Sequence, residues 1–216
     1  LRLSPDRREK VDFRRAVGGR HAGFSMLEVM VTLLIISFCL IAVVGMQLSA
    51  KRAGHLTRQR SLAMNLAQEM VERIRINPGQ AAAYHTGIGA SALGGATIST
   101  TPVNCADNAC TPAQLVSWDR WQWERRLDGV TVTNAQGTSL GGLIEPKGCI
   151  VFTATDAALP NSGQVRVIVN WRGLNASTDA VQSGEALCGS ISAGQDATRR
   201  QVVLNTYVFD PGELDP

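Results

Sequence analysis

Glu28 is a single carboxylate inside a long apolar run, Phe24 to Leu48, with no other charged residue until Lys51. Turning a carboxylate toward hydrocarbon costs about 2.5–3.5 kcal/mol at mid-membrane and less near an end, so an intramembrane acid is read first as functional. The plainer alternative is a side chain reaching up to the headgroups. A second group with chemical potential is the cysteines, of which the chain has 5. Cys39 lies in the apolar run, whereas Cys105, Cys110, Cys149 and Cys188 lie in the polar half. Four thiols beyond a membrane-crossing segment point to two disulfides in an oxidising compartment. Three pairings are open. Cys105 with Cys110 and Cys149 with Cys188 is the favoured one, because 104–110 reads as a small closed loop. Zinc is the competing reading, but no C-x-x-C occurs, and His21, His55 and His85 lie far from the cysteines. No metal and no cofactor is expected.

A third group is aromatic. Trp118, Trp121 and Trp123 cluster beside Arg120, Arg125 and Arg126. Stacked indoles could hold a sugar or a base. A hydrophobic core is the preferred reading, since nearly all the large aromatics of the polar half sit here; any tryptophan left exposed, Trp118 or Trp121 first, becomes a ligand contact. Catalytic groupings are not found: there is no nucleophile elbow, phosphate-binding glycine loop or metal-binding helix motif. An enzyme is not expected. The net charge of +3 does not signal nucleic acid either. Arg2, Arg7, Arg8, Lys10, Arg14, Arg15 and Arg20 outnumber Asp6, Glu9 and Asp12 in the first 23 residues, and without them the chain is close to neutral.

These residues need elements to hold them. As a helix, Phe24–Leu48 would rise about 37 Å, enough to cross a bilayer, with the basic segment before it on the cytoplasmic side. A conventional signal cut near Ala50 fits poorly because Leu48 is large, which leaves an uncleaved signal anchor as the ordinary alternative. Helical periodicity continues: Leu62, Leu66, Met70 and Ile74 form an i, i+4 stripe with Ala63 and Ala67 beside it, and Glu69 precedes Arg73 by four. Asn77-Pro78-Gly79 ends the run, so one helix of about 80 Å is expected over Phe24–Ile76. Gly45 and Gly54 are soft points in it.

Residues 80–104 read as a surface loop. A second helix starts at Thr111-Pro112-Ala113-Gln114, a capping box with proline at the first helical position, and stops at Gly129. Strands are expected over Val130–Thr133, Cys149–Ala154, Gln164–Trp171 and Gln201–Val208, with Val165, Val167, Val169 and Trp171 inward against Arg166 and Asn170. The expected class is α+β, a small antiparallel sheet packed on the upper half of the long helix. Asn175-Ala176-Ser177 matches a glycosylation sequon, a short motif that often arises by chance.

Gly23-Phe24-Ser25-Met26-Leu27-Glu28-Val29 closely resembles the type III signal sequence of type IV pilins and type II secretion pseudopilins. Ser25 stands where that family often has Thr, and Met26 where it often has Leu. The resemblance implies cleavage between Gly23 and Phe24 by a prepilin peptidase, methylation of the Phe24 amine, and retention of the apolar segment. The leader, at 23 residues, is on the long side for the family. Glu28 would then neutralise the Phe24 amine of a neighbouring subunit in a water-poor fibre, setting register more than adding stability. Leu66 to Pro78 is similar to the end of the long helix in PilV-type minor pilins. The organisation implied is a cleaved basic leader (1–23), an anchor and stalk helix (24–48 and 49–78) and a globular head (79–216). The function implied is a minor pilin, anchored in the bacterial inner membrane with its head in the periplasm and then carried into an extracellular pilus for assembly, adhesion or motility. Its partners would be the peptidase and other pilins. The alternatives are a minor pseudopilin and a pilin-borne DNA- or glycan-binding module.

Overall fold

A computed structural model of the chain describes residues 23–130, 134–136, 141–176, 188–189 and 197–214. The first element, α1, is an uninterrupted helix over Met26–Ile76. Its residues divide between two compact units, Leu1–Ala50 and Lys51–Pro216. In the first unit every described residue is solvent-exposed, the apolar ones included. The helix is long and apolar enough to cross a membrane, and such a surface belongs in lipid or against other apolar helices.

The second unit carries the core. Within α1 the buried residues Ala63, Leu66, Ala67, Met70, Val71 and Ile74 recur at helical spacing, and they pack with Val165, Val167, Val169 and Trp171 of the sheet. The 3-10 helix η1 (Pro78–Tyr84) follows directly, since proline has no N–H to continue α1. Residues 80–104 were expected as a surface loop, and here the structure differs. Ala81, Tyr84, Ala92 and Leu93 are buried, because the segment folds between α2 and the first strand instead of lying over them.

Helix α2 spans Pro112–Leu127, and its capping box forms in both directions: the Thr111 hydroxyl accepts from Gln114 N–H, and the Gln114 side chain accepts from Thr111 N–H. Strands β1 (Lys147–Asp156), β2 (Leu159–Arg172) and β3 (Arg199–Val208) make one antiparallel sheet in the order β1-β2-β3, giving the expected α+β arrangement. Val130 lies in a turn, and 131–133 fall outside the described residues, so the strand expected there does too; Ser177 of the sequon is outside as well. Alternation along β2 buries Val165, Val167, Val169 and Trp171 and exposes Arg166, but Asn170 is fully buried. The outward face of the sheet carries a small second core of its own, Ala92, Cys149, Ile168 and Cys188, at the end where Asn170 lies.

Candidate functional site

Phe24 precedes the first turn of α1 and is 82% exposed. Ser25 closes that turn: its carbonyl accepts from Glu28 N–H at 3.0 Å and Val29 N–H at 3.2 Å, and its hydroxyl accepts from Leu27 N–H at 3.3 Å. Ser25 is therefore the N-cap, which makes Ser25-Met26-Leu27-Glu28 a serine-to-glutamate cap sequence, a helix-start signal legible in the residues themselves. Glu28 sits in the first turn, where the unpaired N–H groups of a helix start favour an anion. Among the described residues its carboxylate has no ion-pair partner within the chain. Phe24 and the Glu28 carboxylate thus lie one turn apart at the exposed start of α1.

The head cysteines join as Cys105–Cys110 and Cys149–Cys188, with Cα atoms 5.5 and 5.7 Å apart. Cys39 is free and exposed on α1. Among the described residues no group of three His, Cys, Asp or Glu gathers as a metal would need.

The tryptophans divide. Trp123 and Trp171 are core residues, and Trp123 Nε1 donates to Leu66 O at 2.8 Å, tying α2 to the stalk. Trp118 and Trp121 are half-buried on another face of α2 and stack with centroids 5.1 Å apart, while the Arg125 guanidinium lies 4.9 Å from the Trp121 ring centre. The core reading of the three-tryptophan cluster thus holds for Trp123 and not for the half-buried Trp118–Trp121 pair. The neighbouring cations do not share one basic surface. Arg126 pairs with Glu69 at 2.5 Å, Arg125 covers Trp121, and burial lowers the pKa of Arg120, an effect that nearby Glu124 partly offsets.

Two groupings escaped the sequence reading. Arg73 bonds Asp119 on α2 at 2.5 Å and Glu69 at 2.8 Å, and the Tyr84 hydroxyl donates to Asp119 at 2.6 Å. Burial lowers the pKa of Arg73, but its hydrogen bonds to Asp119 and Glu69 outweigh that and hold it above the ordinary value. Burial and the bond to Asp119 push the Tyr84 phenol well up. The second grouping is acidic: Glu124 accepts from the N–H groups of Gly94, Thr97 and Ile98 at 2.8, 2.6 and 2.8 Å, and Asp128 from Gly95 and Ala96 at 2.7 and 3.1 Å. Gly94, Gly95 and Ala96 have φ of 117°, 80° and 57°, a left-handed run that turns their successive N–H groups toward the neighbouring carboxylates of Glu124 and Asp128. The Gly94-Gly95 pair and the i, i+4 acids Glu124 on α2 and Asp128 at its C-cap were the signals available for it.

Residues 19–44 match the prokaryotic N-terminal methylation motif, and residues 45–121 match the family described as type IV pilin Tt1218. No curated protein and no solved structure matches the chain.

Proposed function

We propose that this chain, a type IV pilin with a type III signal, works as a minor pilin that is cut between Gly23 and Phe24, methylated on Phe24 and built into a surface pilus. Membrane anchoring and a place in a pilus or pseudopilus come with the family and the apolar helix; the minor role and the surface pilus are our reading. One observation carries it: Glu28 is the sole charge on an α1 surface that is exposed throughout 23–50, and among the described residues it has no ion-pair partner. Packing that surface against other subunits removes water from it. The carboxylate then needs a cation, and the new Phe24 amine is the nearest one in kind. The leader stays in the cytoplasm, the head folds in the periplasm, and the disulfides suit that oxidising compartment. The Leu66–Pro78 resemblance favours the PilV branch over a pseudopilin.

Mass spectrometry of the N-terminus from sheared surface pili tests the whole reading. The expected species begins with methylated Phe24. An N-terminus near Lys51 or an intact leader would overturn processing, and recovery only from a periplasmic pseudopilus would assign the chain to type II secretion.

The half-buried Trp118–Trp121 stack supports a second, compatible reading, in which the head contacts a glycan or DNA. Replacing both with Ala should then abolish binding to immobilised glycans or to DNA while pili still form; unchanged binding removes the pair from that role.

A further inference from the structure

A three-stranded sheet has two edges, and in this head they are treated differently. The β1 edge is closed. Leu93 and Gly148 exchange backbone hydrogen bonds of 2.8 Å, Thr86 N–H donates to Ile150 O at 2.8 Å, and Phe152 N–H donates to His85 Nδ1 at 3.0 Å. Segment 85–94 thus occupies the place a further strand would take.

The β3 edge is open. Among the described residues the backbone from Gln201 to Val208 bonds only to β2. An antiparallel ladder uses alternate peptide groups, so the remainder of β3 faces outward with only water to bond. Natural proteins blunt such an edge with proline, lysine, a bulge or a very short strand. None of these devices is present. β3 has 10 residues, its register with β2 is unbroken from Gly163↔Val208 to Arg172↔Arg199, and 201–208 contain no charged residue and no proline. Val203 and Tyr207 are 36% and 49% exposed along it, and Phe209 is 45% exposed just beyond. Cys188 is bonded to Cys149 on β1, at the opposite side of the sheet.

We propose that β3 receives one strand of a different subunit in the same fibre by main-chain addition, an interface separate from the packing of apolar helices. The proposal rests on the pilus reading above. Copies of this chain cannot prolong the sheet among themselves, because that would pair β3 with the closed β1 edge. Charge argues for a different chain as well. β3 begins with Arg199 and Arg200 and carries no acid, and Arg166 stands beside it on β2. Among the described residues neither Arg166 nor Arg200 meets a carboxylate. A second β3 would bring only more cations, so the fitting occupant is an extended strand bearing Asp or Glu. Main-chain bonds supply its affinity, and alternate side chains reaching the open depression of about 600 Å³ between Thr153, Arg166, Asn205 and Tyr207 supply its specificity.

Hydrogen exchange of the full chain, compared between detergent solution and purified pili, reads the edge directly. Amides in 201–208 should slow by at least about tenfold in pili, while those of β1 stay unchanged. A photo-crosslinking residue at position 207 should yield a heterodimer with a second pilin. Tyr207→Lys and Val203→Lys, both on the exposed side, should keep the melting temperature yet lower recovery in pili by about tenfold. Wild-type chain present in pili with β3 exchanging as fast as in detergent, or crosslinked only to its own copy, overturns the proposal alone. Absence of wild-type chain from pili overturns the assembly reading and this one together.

Discussion

Glu28 illustrates how a residue's surroundings set its cost. At the centre of a lone membrane helix it would be an expensive side chain, but in the first turn, behind the Ser25 cap, it is eased by the helix start and stays free to meet a cation. Glu28→Leu should therefore leave membrane insertion intact and cut recovery in pili by about tenfold or more, since the neighbour's amine is left buried and unpaired; immunoblots of membrane and sheared-pilus fractions measure both. Wild-type incorporation of the variant would show that the carboxylate has no part in assembly. Gly148 is a residue of another kind, fixed by space. A Cβ there would lie 2.5 Å from the Trp123 ring and 2.6 Å from Leu127 Cδ1. Gly148→Ala should destabilise the head by about 1–3 kcal/mol, seen as a lowered melting temperature. Nothing in the sequence marked this glycine among the 21 present, because the close approach is between elements far apart in the chain.

Between elements, the stalk part of α1 is held to α2 and η1 by one buried ionic grouping in addition to apolar packing. Glu69 and Arg73 were legible as a helical pair, but their spacing promises only a few tenths of a kcal/mol. The fold adds Asp119, with side chains of Arg73 and Asp119 only 17% and 7% exposed, and the pair becomes a clamp. Arg73→Met strands Asp119 without its cation and should cost about 3–5 kcal/mol in chemical denaturation; a loss below ~1 kcal/mol would reduce the clamp to a surface pair. Tyr84 gives the clamp a pH signature. Its folded pKa is raised above the ordinary value, so its contribution is complete below about pH 10 and is lost as pH rises beyond that. Stability should fall on the alkaline side, and Tyr84→Phe should flatten that fall; identical alkaline limbs would assign the loss to other groups. Glu124 and Asp128 act similarly on 94–98, holding by hydrogen bonds a segment whose glycines alone suggested only a loop.

Across the whole molecule, long-range closure is shared between core and disulfides. Cys149–Cys188 spans 39 residues and Cys105–Cys110 spans 5, so on loop entropy the first is worth about 4 kcal/mol and the second about 2. Cys149→Ser with Cys188→Ser should lower the melting temperature more than Cys105→Ser with Cys110→Ser; the reverse order would mean that native-state packing dominates. The sequence by itself determined the features that depend on near neighbours: the apolar run with its one acid, the stop at Asn77-Pro78, the Thr111 capping box and the inward alternation of Val165 to Trp171. Periodicity, caps and turns act within a few residues, so they can be read along the chain. Only the tertiary structure decided which tryptophans enter the core, that Asn170 is fully buried, that Arg73 meets Asp119 46 residues away, and that one sheet edge is closed while the other is open. Each of those depends on contacts between segments distant in sequence, where burial and pairing are set by packing and not by local preference.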